Sequence, residues 1–186
     1  MKKTVLTFGL IMGAVMSVMM LLTLLFADDL GTGHSLVVGY TTMVLAGLLI
    51  FFGVRSYRDN VGGGEVRFGR AFAVGMLIVA ISTVLYVATW ELIRYQIAPG
   101  FAAKLETELE ADAIAKERAK GGTPAEVEAR VAQTRKNFEN YRKPAFNAAM
   151  TFMEPLPVGL VLALVSAGIL SRRRRGAQPA RAGAAG

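Results

Sequence analysis

The chain has 186 residues, of which 53% are hydrophobic, and its formal net charge is +7. It contains no cysteine and a single histidine, His34, which excludes disulfides, thiol chemistry, thiolate metal sites and multi-histidine metal sites. A soluble globular chain is usually about 45–50% apolar, and here the excess is concentrated in four blocks. The composition therefore predicts a membrane protein. Because the positive charge lies beside the apolar blocks, it indicates topology and lipid contact rather than nucleic-acid binding.

The first apolar block, residues 5–27, contains no charged residue. At about 1.5 Å per residue, a helix of this length crosses the roughly 30 Å hydrocarbon core of a bilayer. Lys2 and Lys3 precede the block, as they would in a signal peptide. However, the block is longer than the apolar region of a signal peptide, and the −3 position at its end is Leu25 rather than a small residue. We therefore predict a retained membrane span.

Three further apolar blocks predict spans at about 35–54, 71–95 and 146–170. Pro155 and Pro157 interrupt the last block, and a proline disfavours helical geometry at the residue before it. We therefore expect the fourth span to start or kink at Glu154. In the first span, Gly9 and Gly13 form a GxxxG pair, a pattern that permits close approach of two helices.

Basic residues beside the spans predict the orientation. The link between the first two spans has Asp28 and Asp29 but no Lys or Arg. Basic residues lie before the first span, between the second and third, and after the fourth: Lys2, Lys3, Arg55, Arg58, Arg67, Arg70, Arg172, Arg173, Arg174 and Arg175. Four crossings place these three segments on one side, so both termini are predicted to be cytoplasmic. Residues 1–171 form one membrane domain, and 172–186 are expected to be a basic, disordered tail.

Residues 101–143 are the one sizeable hydrophilic segment, and the alternation of spans predicts that they lie outside the cytoplasm. Good helix formers fill 102–120, Gly121-Gly122 can end that helix, and Thr123-Pro124-Ala125-Glu126 matches a capping box that starts another. Apolar stripes predict that the two helices pack antiparallel: Leu105 and Leu109 on one, and Val127, Val131, Thr134, Phe138 and Tyr141 on the other. Such a hairpin either only connects two spans or offers a docking surface to a partner helix.

Glu91, Arg94 and Glu154 are ionisable residues at membrane depth, where such groups are costly and are candidates for function. Helical rise counted from Arg70 and from Arg172 predicts that both carboxylates lie in one layer near the outer interface. Asp28, Asp29 and His34 are expected at the same level. The three candidates either neutralise one another and tie spans three and four together, or form a binding or proton-handling site in which Arg94 anchors an anion, or are simply exposed at the interface.

The link between spans two and three places Arg55, Arg58, Arg67 and Arg70 around three consecutive glycines, residues 62–64. These arginines are expected to contact anionic lipid head groups. The glycines could also present backbone amides to a phosphate. No GKS or GKT follows them, which excludes a nucleotide-binding P-loop.

Several ordered motifs run along most of the chain. They are Gly39-Tyr40, Phe51-Phe52-Gly53-Val54-Arg55, Tyr57-Arg58-Asp59, the run from Phe68 to Gly75, the run from Tyr86 to Trp90, and the run from Phe152 to Leu160. In these motifs the sequence resembles a bacterial membrane-protein family, domain of unknown function 4199. The resemblance extends to about Leu170 and implies four spans and a bacterial inner membrane, but no activity.

Three classes of function remain open. The first is a non-enzymatic scaffold or interaction partner of an envelope complex, acting through the hairpin or through lipid-facing glycines. The second is a small oligomeric transporter or channel component that uses Glu91, Arg94 and Glu154. The third, a membrane enzyme, has no visible nucleophile–base or metal motif, and one histidine limits its acid–base options.

We favour the first class, and we expect no catalytic, cofactor or metal site. The partners that the sequence predicts are an anionic lipid surface, together with a second copy of the chain or another membrane protein. No nucleic acid is expected among them.

Overall fold

The computed structural model describes residues 1–172, except for the side chains of residues 27–36. These residues form helices and no strand: α1 Lys2–Leu25, α2 Ala27–Asn60, α3 Phe68–Leu92, a π-helical turn Ile93–Ile97, α4 Phe101–Ala119, α5 Pro124–Arg142, α6 Pro144–Met153 and α7 Leu156–Leu170. The all-α fold is therefore confirmed. From residue 173 onwards, the predicted basic tail lies outside the described residues.

Helices long and apolar enough to cross a membrane occupy four segments of the described chain: Lys2–Leu25, Val37–Asn60, Phe68–Ile97 and Pro144–Leu170. They overlap the spans predicted at 5–27, 35–54, 71–95 and 146–170. At one end of the bundle, which we call the link end, α1 and α3 begin while α2 and α7 end. The opposite end carries α4 and α5 and is called the hairpin end.

The bundle is built around α3, which contacts α1, α2 and α7. Ala71, Val74, Ile78 and Val79 on α3 are completely buried. The outward faces of the other helices are apolar instead, with exposed side chains such as Leu45 on α2 and Val161 on α7. Contiguous apolar surface of this kind is rare in soluble monomers but is what a bilayer requires of a spanning bundle.

Glycines lie where the spanning helices approach most closely. A Cβ atom on Gly9 would come within 2.8 Å of Ile81 Cβ, and one on Gly13 within 3.2 Å of Ser82 Cα, so both glycines pack against α3. Gly75 faces Ala163 of α7, and Gly159 faces Val79 of α3. Within lipid, burying apolar surface between helices gains little free energy, because lipid tails are equally apolar. Van der Waals packing between closely approaching helices therefore contributes much of their attraction, and small residues permit that approach. The close approach predicted from the Gly9 and Gly13 pair is therefore observed, whereas Gly39 and Gly168 have nothing within 4 Å of their Cβ positions.

Two boundaries differ from the predictions. Only Phe26 separates α1 from α2, because the segment expected to form a link is helical from Ala27 onwards. Intrahelical hydrogen bonds satisfy the backbone at that depth, which a polar loop could not do without water. The side chains of Asp28, Asp29 and His34, which we expected at the outer level, lie outside the described part of the structure.

The expected irregularity at Glu154 is observed as a kink between α6 and α7. Pro155 and Pro157 cannot donate backbone hydrogen bonds, which interrupts the helical ladder after Met153. The backbone of Glu154 (φ −61°, ψ −48°) nevertheless stays in the helical region. The fourth span is therefore one kinked segment rather than a span that begins at Glu154.

Helices α4 and α5 pack against each other within the range predicted for the hairpin, 101–143. The turn between them uses Gly121 at a positive φ of 79°, and the predicted capping box joins Thr123 and Glu126. Phe138 is buried on the predicted face, together with Ala113 on α4. Ion pairs connect the two helices, since Arg135 donates to both carboxylate oxygens of Glu110, at 2.7 and 3.0 Å, and Arg142 pairs with Glu106.

Candidate functional site

The hairpin end gathers polar side chains from three segments: the last turns of α3, the π-helical turn, and the start of the fourth span. The π-helical turn closes with a hydrogen bond from the amide of Ala98 to the carbonyl of Ile93, at 2.7 Å. A π-helical turn changes the angular spacing of the residues that follow it, and such turns are frequent at functional sites. Here it begins directly after α3 and includes Arg94.

Glu154 lies at the kink of the fourth span and accepts a hydrogen bond from the hydroxyl of Tyr86, with 3.2 Å between the Tyr86 oxygen and Oε2. Tyr86 belongs to α3, so this bond connects the third and fourth spans. A hydrogen bond to a carboxylate inside a low-dielectric bundle is stronger than one in water. The tie between the two spans that the sequence predicted therefore exists, but a tyrosine makes it rather than Arg94.

A second connection joins Trp90 and Asn147. The indole Nε1 donates to the Asn147 Oδ1 at 2.7 Å, and Asn147 is completely buried. Trp90 also contacts the hairpin, because its ring meets the ring of Phe101, the first residue of α4, edge to face with centroids 5.6 Å apart. Trp90 thus joins α3, α6 and α4 at one point.

Arg94 contacts the hairpin where α5 ends and the fourth span begins. Its Nη2 donates to the carbonyl oxygen of Arg142 at 2.8 Å, where α5 passes into α6. Its guanidinium also lies over the rings of Tyr95 and Tyr141, at 5.3 and 5.9 Å from the centroids. Such cation–π contacts stabilise by about 0.5–2 kcal/mol, more where the charge is shielded from water.

The ion pairs expected among Glu91, Arg94 and Glu154 are not observed. Glu91 Oε1 and Arg94 Nη1 are both buried without a hydrogen-bond partner, and no ion pair joins any of the three residues. Arg94 instead contacts the carbonyl oxygen of Arg142 and the rings of Tyr95 and Tyr141, which direct its guanidinium toward the hairpin.

Tyr141 contacts Arg94, whose guanidinium lies 5.9 Å from its ring centroid. It lies near Glu91, Arg94 and Glu154, all of which influence the ionisation of its hydroxyl, and burial raises its pKa. Nearby, Asn147 Nδ2 has no acceptor at hydrogen-bonding distance, although it faces the same hydroxyl. Of the three predicted residues, Arg94 therefore contacts Tyr141, and Glu154 contacts Tyr86.

A cavity of about 970 Å³ opens beside this region, between α1, α2, α3 and α4. Its walls are largely apolar and include Met16, Met19, Met20 and Met43. Tyr86 and Glu154 line it, whereas Glu91 and Arg94 do not. An apolar cavity with a few converging polar groups is the usual form of a small-molecule site. Of the three predicted residues, only Glu154 is placed to meet such a molecule.

The link end contains a second recess, of about 1110 Å³, at the junction of α2, α3 and α7. Arg55, Arg58, Arg67 and Arg70, the four arginines predicted to contact head groups, all line it. Arg172 from the end of the fourth span joins them. The two ends of the bundle thus differ in chemistry, with a basic recess at one and a mostly apolar cavity at the other.

Sequence reasoning missed Tyr86, Trp90, Tyr141 and Asn147. Three are aromatic residues that a hydropathy pattern treats as apolar, although the Tyr hydroxyl and the Trp indole N–H can form hydrogen bonds. Asn147 carried a usable signal, because it is an amide within an apolar segment, and a buried amide requires a partner.

Comparison with known proteins identifies one family. A family profile described as "Protein of unknown function (DUF4199)" matches residues 7–172. No curated protein and no solved structure matches the sequence significantly.

Proposed function

The chain belongs to the DUF4199 family of proteins of unknown function, and we propose that it is a non-enzymatic interaction protein of a bacterial inner membrane, which displays its hairpin to a partner in an envelope complex. The proposal includes its orientation. Both termini and the link end face the cytoplasm, and the hairpin end faces away from it. The distribution of Lys and Arg beside the spans supports this orientation.

The observation that carries the proposal is a hairpin that is longer than a connection requires and that specific side chains attach to the bundle. Helices α3 and α6 are in contact, and neighbouring helices of a bundle are usually joined by about 2–8 residues. Here two helices of 19 residues each intervene. They are connected to each other by ion pairs and to the bundle through Arg94 and Trp90. Such a mounting suits a surface that must keep a fixed direction.

The outward face of α5 is the better candidate for contact with a partner. Its exposed residues include the short side chains Ala125, Ala129 and Ala132, which permit close approach. Among the described residues of this helix, four exposed charged side chains form neither an ion pair nor a side-chain hydrogen bond: Glu128, Arg130, Lys136 and Glu139. On α4, by contrast, Lys116 pairs with Asp112 of its own helix, at 2.6 Å. The partner would then meet α5 through a polar, charge-complementary surface.

Bulky substitutions on the two exposed faces test this. The Ala129→Arg/Ala132→Arg variant and the matched Ala111→Arg/Ala115→Arg variant of α4 would replace a tagged chromosomal copy in the native organism. The size of the complex that each forms in mild detergent would be measured on native gels. We expect the α5 variant to migrate as the chain alone and the α4 variant to keep the larger complex. Unchanged migration of both variants would contradict a role for the hairpin.

The cavity at the hairpin end favours a second candidate function, the binding or carriage of an amphiphile. Four methionines form flexible, polarisable walls of the kind found at adaptable binding surfaces. Glu154 and Tyr86 offer a polar point of attachment on one side, and Lys104 and Glu108 of α4 line another. A molecule with an apolar tail and a cationic or hydroxylated head would satisfy both features.

Substitutions of two glutamates distinguish binding of an amphiphile at the cavity from binding of a partner by the hairpin. Glu154→Gln removes the carboxylate that the fourth span presents to the cavity, where Lys104 and Glu108 of α4 also line the wall, whereas Glu91→Gln removes a carboxylate that does not line it. Release of co-purified lipid, measured by mass spectrometry of the detergent-solubilised protein, should occur with Glu154→Gln alone. Equal lipid content in both variants and in the native protein would exclude the carrier function at this cavity.

A further inference from the structure

The recess at the link end combines five arginines with two carboxylates, Asp59 and Glu65, leaving a formal charge of +3 on its walls. Asp59 compensates two of the five arginines, because its carboxylate pairs with Arg58 at 2.7 Å and with Arg55 at 3.6 Å. Among the described residues, Arg67, Arg70 and Arg172 have no ion-pair partner. Like charges brought together without compensation repel one another, so the arrangement favours an anion between them.

The backbone of the same recess adds hydrogen-bond donors. Helix α3 begins at Phe68, its N-cap Arg67 provides no side-chain cap, and its first turn has no acidic residue. The first amides of a helix have no acceptor within the helix, and they carry its partial positive charge. Gly69, which lines the recess, has nothing within 4 Å of its Cβ position, so a ligand can reach this turn directly.

The link that frames the recess is ordered. Gly64 donates its amide hydrogen to the carbonyl of Arg58 at 3.0 Å, and Glu65 donates to the carbonyl of Gly62 at 3.2 Å. Gly63 and Gly64 have positive φ values of 64° and 90°, which only glycine adopts readily. Tyr57 and Val66 are buried beneath the turn. The arginines are therefore held on a preformed frame, which lowers the entropic cost of binding.

We propose that this recess binds a phosphate group carrying two negative charges, with Arg67, Arg70 and Arg172 as its principal ligands. Planar guanidinium groups match phosphate oxygens in pairs, and a dianion matches the excess charge better than a monoanion. The shared chemistry fits either a phosphomonoester lipid head group or a free phosphate. Two exposed apolar residues beside the recess, Val61 and Phe68, favour the lipid, because they suit the bilayer interface.

The test uses the full-length protein in nanodiscs made mainly of a neutral phospholipid. Native mass spectrometry would compare retention of phosphatidic acid, a phosphomonoester, with that of phosphatidylglycerol, a monoanionic phosphodiester, at equal amounts. We expect the native protein to prefer phosphatidic acid about tenfold, which corresponds to one additional charged interaction. The Arg67→Gln/Arg70→Gln variant should retain the two lipids about equally.

A matched control carries the same loss of charge at the same end of the bundle. Lys2 and Lys3 begin α1 and do not line the recess, so Lys2→Gln/Lys3→Gln should keep the preference. Loss of the preference in both variants, or none in the native protein, would overturn the proposal. Competition with inorganic pyrophosphate in solution distinguishes a lipid head group from a soluble phosphate as the ligand. Displacement of phosphatidic acid by micromolar pyrophosphate would assign the recess to a soluble phosphate, and displacement only at millimolar concentration would assign it to the lipid.

Discussion

Glycines at helix crossings set the spacing of the bundle, and Gly13 is the most informative of them. Its missing side chain lets α1 approach α3 closely enough for Ser17 and Thr89 to share a hydrogen bond of 2.8 Å one turn further along. Either hydroxyl can donate in this bond. A glycine at such a position thus supports a polar contact as well as dispersion attraction between the helices.

Replacement of Gly13 by leucine should therefore separate α1 from α3. Overpacking of a close contact costs about 1–3 kcal/mol, and the loss of the Ser17–Thr89 bond adds to it. Gly168 of α7 provides the control, because nothing lies within 4 Å of its Cβ position. Thermal unfolding in mild detergent should show a lower midpoint for Gly13→Leu than for Gly168→Leu. Equal midpoints would contradict the close packing of α1 on α3.

Trp90 is the only tryptophan in the chain, so its fluorescence reports directly on the hairpin end. Removing the Asn147 amide with Asn147→Ala leaves the indole N–H without its acceptor, and an unpaired buried donor costs about 1–3 kcal/mol. We expect a lower unfolding midpoint and a shifted emission maximum. Asn137→Ala, which changes an exposed amide on α5, should alter neither quantity. If Asn147→Ala left both unchanged, Trp90 would not be the joint between the spans and the hairpin.

At the scale of elements, the hairpin behaves as a unit whose cohesion depends on ion pairs. The hydrogen bond from Arg135 holds the pKa of Glu110 below its ordinary value. The backbone hydrogen bond from Thr123 lowers the pKa of Glu126 in the same way. A lowered pKa in the folded state means that the unfolded chain binds protons more readily, so stability declines as pH falls. The middle of the hairpin and the start of α5 at its turn are thus sensitive to acid.

Acid should therefore weaken the packing of α4 on α5. The contribution of Glu110 is present above its unfolded pKa, near 4.5, and is lost as pH falls through the lower pKa of the folded state. Thermal unfolding of the helical circular dichroism signal would be followed at pH 7 and at pH 3. Glu110→Gln should reduce the acid-induced fall of the midpoint, and Glu128→Gln, an exposed residue without an ion pair, should not. A fall of the same size in all three proteins would show that this pair does not couple the helices.

The elements were largely predictable from the sequence, because spans are defined by length and apolarity and because the hairpin carries its own capping and stripe patterns. The joints between elements were less predictable. Asp28, Gly31 and Gly33 are unfavourable within helices, yet the backbone of α2 is already helical from Ala27, since intrahelical bonds outweigh propensities of about 1 kcal/mol per residue. Glu91 and Arg94 form no ion pair, because Arg94 contacts the carbonyl oxygen of Arg142, 48 residues further along the chain, and no local pattern reveals such a contact.

At the scale of the whole molecule, the chain is a bundle with two unlike ends. A glycine-framed recess of arginines occupies the link end, and a polar cluster beside an apolar cavity occupies the hairpin end. The sequence predicted this polarity from the positions of its charges. It could not predict that the arginines converge on one recess, or that Glu154 alone of the three membrane-depth residues reaches a cavity, because both depend on how helices distant in sequence pack together.

Four crossings with the two ends on opposite sides of the membrane form the central claim, and cysteine accessibility tests it most directly. The chain has no cysteine, so single substitutions introduce the only reactive thiol. Ala125 on the hairpin and Val61 on the link are both exposed. A membrane-impermeant maleimide, applied to spheroplasts that expose the outer face of the inner membrane, should label Ala125→Cys at once and Val61→Cys only after the membrane is permeabilised. Labelling of both variants in intact spheroplasts, or of Val61→Cys alone, would contradict the account.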